Sequence, residues 1–262
     1  MENLRFKLMR KLKYTLLLSV VIAFAACNDL DVPPPNRLTD ADVFNSEAGV
    51  TAYMTRLYSE LPIEDFKYNY TSGFNKFESF WGLGPNSGEW LQRNSMRHWG
   101  VNANGFGYWP YSNIRNANYF IQNVTTYASS YTTDQVNAWL GEAYFCRAYY
   151  YFGMAKRYGG VPIIDKVQNY PEQTLEELQV KRDKEEDVYD FISSDLKLAM
   201  EYLPETSVSG RANKYVAAAL KSRAMLYAAS IARYGKNYFT DSEAYHRGLV
   251  GIPEARAIDY YQ

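Results

Sequence analysis

Residues 132–160, TTDQVNAWLGEAYFCRAYYYFGMAKRYGG, decide the fold. Thr132 or Thr133 stands where a helix needs a side-chain acceptor for its first free N–H groups, and Gly159 stands where it must stop. Tyr144, Tyr149, Tyr150 and Tyr151 surround the helix instead of forming one stripe. That pattern fits a helix packed on several sides. In such company Cys146 reads as a small buried hydrophobe, not a nucleophile. Arg147 and Arg157 read as partners of carboxylates or of helix-end carbonyls. The stretch therefore predicts a central helix inside a helical core.

Working outward, the same logic predicts more helices. In TDADVFNSEAGVTAYMTRLYSEL a Thr39 or Asp40 cap precedes Val43, Val50, Met54, Leu57 and Leu61 at helical spacings, and Pro62 closes the run. Further helices are predicted over 113–127, 184–203 and 212–234, the last with an alanine-rich centre suited to close helix contact. Another begins near Pro253, and a helix that has just started cannot bury its apolar face alone, so the chain is expected to continue in a longer protein. VPIIDKV, after the central helix, reads as a short extended piece. The carboxylates of DKEEDVYD favour the positive end of a helix dipole and read as a solvated face. Paired helices with small residues at crossings are the device of tetratricopeptide stacks, and WLGEAY from Trp139 resembles the start of such a repeat, although no clean 34-residue period is present.

The N-terminus carries a different signal. Arg5, Lys7, Arg10, Lys11 and Lys13 precede an apolar run from Tyr14 to Ala26, and small Ala25 and Ala26 precede Cys27. This is the layout of an export signal. The run is too short for a membrane-crossing helix, which needs about 20 residues. FAAC resembles the bacterial lipobox, whose cysteine is lipidated and becomes the new N-terminus; two or more acyl chains give stable anchoring. A plain cleaved signal, with Cys27 incidental, is the alternative. The domains expected are a signal peptide over 1–26, a lipidated Cys27 with an extended tether over 27–38 containing Pro33, Pro34 and Pro35, and a helical domain over 39–262.

Composition narrows the function classes. The chain has 262 residues, 47% of them apolar, with a formal charge of −1. That near-zero charge, with no long basic run after the N-terminus, argues against a sequence-wide electrostatic footprint for nucleic acid, and without the five basic residues and Glu2 of the signal the net charge falls to about −5. Two cysteines, one of them Cys27, leave no intramolecular disulfide framework. His98 and His246 are the only histidines, which excludes a three-histidine metal site. No phosphate-cradling or dinucleotide glycine pattern appears, and no cofactor is expected. Aromatic residues reach 16%, including 25 Tyr, 13 Phe and 5 Trp. Many gather in residues 66–110, where SFWGLGPNSGEWLQRNSMRHWGVNANGFGYWP shows no sustained helical or strand period. A loop of that length and aromatic content is expected to be ordered and to bind something.

Three stretches together resemble the SusD/RagB family of outer-membrane lipoproteins: the lipobox followed by LDVPPPNRLTDADVFNSEAGVTAYMTRLY, the core EAYFCRAYYYFGMAKRYGGVPII, and GRANKYVAAALKSRAMLYAA. The resemblance covers the chain after Cys27. It implies an all-α protein with tetratricopeptide-like helical pairs and a long irregular Trp-rich loop. It also implies a surface-exposed, lipid-anchored outer-membrane location and a SusC-like TonB-dependent transporter as partner. The implied role is capture of an oligosaccharide or polysaccharide, or sometimes a peptide, for that transporter, without enzymatic activity. Family members are commonly about twice this length, so part of the ligand site is expected from outside this chain.

Sugar binding needs flat apolar faces and nearby hydrogen-bonding side chains. Trp81, Trp90 and Trp99 offer the faces, and Arg93, Asn94, Arg97 and Asn102 the polar groups. The competing reading packs each Trp onto the helices. Two other functions compete: a transporter-docking scaffold whose ligand contacts lie elsewhere, and a glycosidase using Glu78 and Glu89 as its carboxylate pair.

Overall fold

In a computed structural model the structure describes residues 38–62, 68–69, 73–74, 108–237 and 240–262. The segment expected to form the first helix makes two, α1 (Asp40–Phe44) and α2 (Glu47–Ser59). Ser46 is extended between them and its hydroxyl accepts from the Gly49 N–H. A single helix is impossible in this packing. A Cβ on Gly49 would lie 2.3 Å from the Val43 carbonyl oxygen, so the bare glycine is what lets α1 fold back on the first turn of α2. Val50, Met54 and Leu57 are buried as their spacing predicts, and Phe44 joins them.

Two two-residue strands follow, β1 (Tyr68–Asn69) and β2 (Gly73–Phe74), paired antiparallel with Tyr68 opposite Phe74. They lie in the stretch read as having no strand period; pairs this short cannot display an alternation.

The long helices carry the fold. They are α3 (Tyr111–Thr126), α4 (Thr133–Tyr158), α6 (Glu185–Tyr202) and α7 (Lys214–Tyr234), with the four-residue α5 (Leu175–Leu178) between α4 and α6. Thr132 caps α4 in a reciprocal box with Gln135, and Gly159 ends it at φ 68°. Gly159 has a second reason to be glycine: a Cβ there would lie 2.3 Å from the Leu249 carbonyl. Short α8 (Glu243–His246) and α9 (Ala257–Tyr261) complete the chain; a single turn of 3-10 helix from Glu254 leads into α9. Ala257 and Tyr260 are buried, so even this short helix covers part of its apolar face.

Neighbouring helices pack in sequence: α3 on α4, α4 on α6, α6 on α7, and α7 on α9, with α2 against α3 and α4. This is the all-α, paired-helix architecture read from the sequence. Among the described residues no helix is long and apolar enough to cross a membrane. In α7, Ala217, Ala224, Ala228 and Ala232 are buried, and their small side chains permit the close contact expected of them.

The tyrosine surplus has a structural use. Hydroxyls of buried or half-buried tyrosines donate to carbonyls on other elements: Tyr150 to Leu57 at 2.6 Å, Tyr131 to Phe44 at 2.7 Å, and Tyr53 to Asn116 at 3.2 Å. Each ring fills core volume while its tip satisfies a backbone acceptor. Tyr150 and Tyr151 are fully buried, whereas Tyr144 and Tyr149 are half-buried. Cys146 is fully buried, and burial pushes its thiol well up, which makes it inert.

The extended piece after α4 forms no strand. Side chains satisfy its backbone instead: Tyr111 donates to Pro162 O, Asn118 to Ile164 O, Arg147 to Asp165 O, and the Asp183 carboxylate accepts from Ile163 N.

Candidate functional site

Arg147 binds Asp195 through two nitrogens at 2.8 and 2.7 Å and donates at 2.7 Å to Asn118. All three are buried, and together they join α4, α6 and α3. Burial alone would push the Asp195 carboxyl up, and the guanidinium opposes it. Arg157 donates to the Gly153 carbonyl, as a helix-end partner should. The pair and the cap are scaffold, as the sequence reading has them.

The carboxylates of DKEEDVYD need a correction. Glu185 is only 5% exposed, packed at the start of α6 under the chain that links α8 to α9, where its carboxylate accepts from Gly251 N at 2.6 Å. Glu186 and Asp190 both bind Arg256. The later segment that encloses this helix start is invisible to a local reading.

All seven sugar-site candidates, Trp81, Trp90, Arg93, Asn94, Arg97, Trp99 and Asn102, lie outside the described residues, as do Cys27, Glu78 and Glu89. What the structure does describe is the end of that aromatic stretch, where Tyr108, Trp109 and Pro110 lead into α3. Trp109 is 53% exposed, an unusual state for so large an apolar ring. Its indole sits 5.1 Å from the Tyr111 ring and 5.1 Å, edge-on, from the Tyr158 ring at the end of α4. Both supports are themselves fixed. The Tyr158 hydroxyl accepts from Tyr108 N at 2.9 Å, and the Tyr111 hydroxyl donates to Pro162 O at 2.7 Å. Burial raises the Tyr111 phenol, so it stays a donor.

Beside this cluster lies Arg182, exposed, in the segment before α6. It donates from Nε to Gly160 O at 2.7 Å and from Nη2 to Tyr158 O at 2.6 Å. Tyr158 thus touches the indole with its ring and the guanidinium with its carbonyl. Trp109 and Arg182 were not singled out from the sequence. Trp109 closes the aromatic stretch and was legible as a candidate, but nothing local to Arg182 announces its neighbour.

Elsewhere, a cleft of 510 Å³ between α6, α7 and α9 is lined by Lys197, Met200, Lys221, Leu226, Arg256 and Tyr260, among others. Arg256 there is engaged by Glu186, Asp190 and Asp259. Among the described residues no cluster of three His, Cys, Asp or Glu could hold a metal ion.

Comparison with known proteins places this scaffold. The SusD-like family model described as "Starch-binding associating with outer membrane" matches residues 29–226. The chain belongs to the SusD/RagB family. It is 28% identical over 207 residues to SusD-like protein P2 of Formosa agariphila, covering 77% of this chain and 40% of that protein. To a SusD-like protein of Bacteroides ovatus it is 27% identical over 232 residues, 84% of this chain and 40% of the relative. The chain thus spans about 40% of the length of these relatives. Among solved structures it resembles a SusD-like protein from Bacteroides fragilis, with 28% identity, a TM-score of 0.51, and coverage of 74% of this chain and 37% of the other. A SusD-like carbohydrate binding protein from the same species, 23% identical with a TM-score of 0.52, covers 71% of this chain and 38% of its own and shares the fold.

Proposed function

We propose that the chain is a carbohydrate-binding part of an outer-membrane lipoprotein that captures oligosaccharides and passes them to a SusC-like TonB-dependent transporter. The observation that carries this is the match of residues 29–226 to a family described as starch-binding at the outer membrane. A solved neighbour of the same fold is described as a SusD-like carbohydrate binding protein. The tryptophan-rich sequence over 66–110, ending at the exposed Trp109, supplies the flat apolar faces such binding needs. The role is one of binding, not catalysis.

In this reading Trp81, Trp90 and Trp99 stack on pyranose rings, with Arg93, Asn94, Arg97 and Asn102 taking hydroxyls. One stacked ring removing about 40 Å² of apolar surface contributes about 1 kcal/mol, roughly fivefold in affinity. Titration of a glycan panel by calorimetry should therefore show each Trp→Ala variant weakening binding by about that factor. No loss in any of the three would remove these residues from the site.

The anchor is proposed separately: residues 1–26 are cleaved, Cys27 carries the acyl groups, and 27–38 tether the helical domain over 39–262. Metabolic labelling with a fatty acid in a bacterium that processes lipoproteins should mark the protein, and Cys27→Ala should abolish the label. Label retained in that variant would place the anchor elsewhere.

A further inference from the structure

We infer that Trp109 and Arg182 form a subsite for an acidic sugar, one bearing a carboxylate or a sulfate ester. The inference rests on the carbohydrate-binding reading and goes beyond it by naming the chemical class of the ligand.

The indole of Trp109 is held by the Tyr111 and Tyr158 rings, and both tyrosines are tied by their hydroxyls to backbone. A 53% exposed ring on so fixed a support can take the face of a pyranose with little further ordering, which is where binding usually loses free energy. Aromatic exposure alone would suit any sugar. The charge beside it selects among them.

Arg182 is exposed, and its partners among the described residues are the carbonyls of Tyr158 and Gly160. Carbonyls fix the side chain in place and oppose its charge only with the partial negative charge of a helix end, not with a formal one. Among the described residues no carboxylate pairs with it. The adjacent Asp183 carboxylate accepts from Ile163 N on the other segment, and the flanking Lys181 and Lys184 are exposed. A guanidinium offers a planar fork of donors, of which Arg182 directs Nε and one Nη2 hydrogen to the carbonyls. The rest of the fork matches two oxygens of a carboxylate or sulfate in charge-assisted hydrogen bonds. A neutral sugar in the same place would cover the cation and give no charge in return. Capping the C-terminus of α4 accounts for the two carbonyl contacts; it does not account for the remaining donors of the fork, on a guanidinium that shares Tyr158 with an exposed indole.

The test is calorimetric titration of the full chain with three oligosaccharides of matched length: a neutral glucan, a uronic-acid oligomer and a sulfated glycan. At low salt at least one acidic ligand should bind roughly tenfold tighter than the glucan, and the preference should shrink at high ionic strength. Arg182→Gln should weaken the acidic ligand by about tenfold and leave the glucan within about twofold. Trp109→Ala should weaken both by roughly fivefold. Whether the uronate or the sulfate arm responds identifies the anionic group. If Arg182→Gln lowers the melting temperature, Arg182→Lys keeps the charge and loses the fork, and should still weaken the acidic ligand several-fold. Glycan binding that these variants do not change, while substitution of Trp81, Trp90 or Trp99 does, would overturn the subsite and leave the carbohydrate reading standing. Absence of binding to every glycan would overturn both.

Discussion

Replacing Arg147 by Met should lower the free energy of unfolding by about 3–5 kcal/mol, a large part of what a domain this size possesses. The Asp195 carboxylate would remain in the core between α4 and α6 with its bidentate partner gone, and Asn118 would lose a donor to its side-chain oxygen. A buried charge without a partner is the expensive state, because its desolvation is no longer offset. The paired state need not be better than a well-packed apolar one, so Arg147→Met combined with Asp195→Leu should recover most of the loss. Denaturant unfolding monitored by circular dichroism checks both. A single variant within about 1 kcal/mol of the parent would show that the pair does not hold the helices together.

The second large effect concerns pH. Burial pushes the Glu185 carboxyl up to about 7, against an ordinary value of 4.5, with the Gly251 N–H the one group opposing the rise. Tyr189 lies close to it on the same helix, and Tyr227 and Tyr260 approach Tyr189 from α7 and α9. Tyr245, His246 and Arg247 face the helix start from the α8 side, where Arg247 is paired with Glu243. Below 4.5 the carboxyl is neutral in both folded and unfolded chains. Between 4.5 and 7 the folded chain holds more protons than the unfolded one, so stability falls as pH rises through that window, and above 7 the full penalty remains. A ceiling of about 3 kcal/mol follows from the size of the displacement.

Glu185→Gln keeps an acceptor for Gly251 and removes the titration. The variant should therefore match the parent near pH 4 and exceed its stability by about 2–3 kcal/mol at pH 8, the gap opening between those values. Parallel pH profiles for the two proteins would mean that Glu185 ionises as an exposed carboxylate does.

These two residues also mark what a sequence can reveal. The central helix was legible because its boundaries are local events, the Thr132 cap with Gln135 and the Gly159 stop, and because tyrosines spread around it fit packing on several sides, complete at Tyr150 and Tyr151 and partial at Tyr144 and Tyr149. The alanines of α7 were legible for the same kind of reason. Arg147 could be assigned a carboxylate partner in kind, but nothing in the sequence pointed to Asp195.

The misses are tertiary in origin. The break at Ser46 follows from α1 lying against Gly49, a contact that helical periodicity cannot report. Glu185 looked solvated because helix starts rich in carboxylates usually are; the chain around Gly248 and Gly251 covers it from some sixty residues further on. The proposed sugar site divides in the same way. Tryptophans and polar residues clustered in 66–110 were visible as composition, whereas the meeting of Arg182 and Trp109 on the same Tyr158, one at its carbonyl and one at its ring, needed the end of α4 and the start of α6 to be brought together.

The most direct test of the carbohydrate-binding account is a crystal structure of this chain with an oligosaccharide that binds it. The account predicts a pyranose ring stacked on Trp109 or on one of Trp81, Trp90 and Trp99, with an acidic substituent in contact with Arg182. A sugar seated instead in the cleft between α6, α7 and α9, with all four indoles bare, would contradict it.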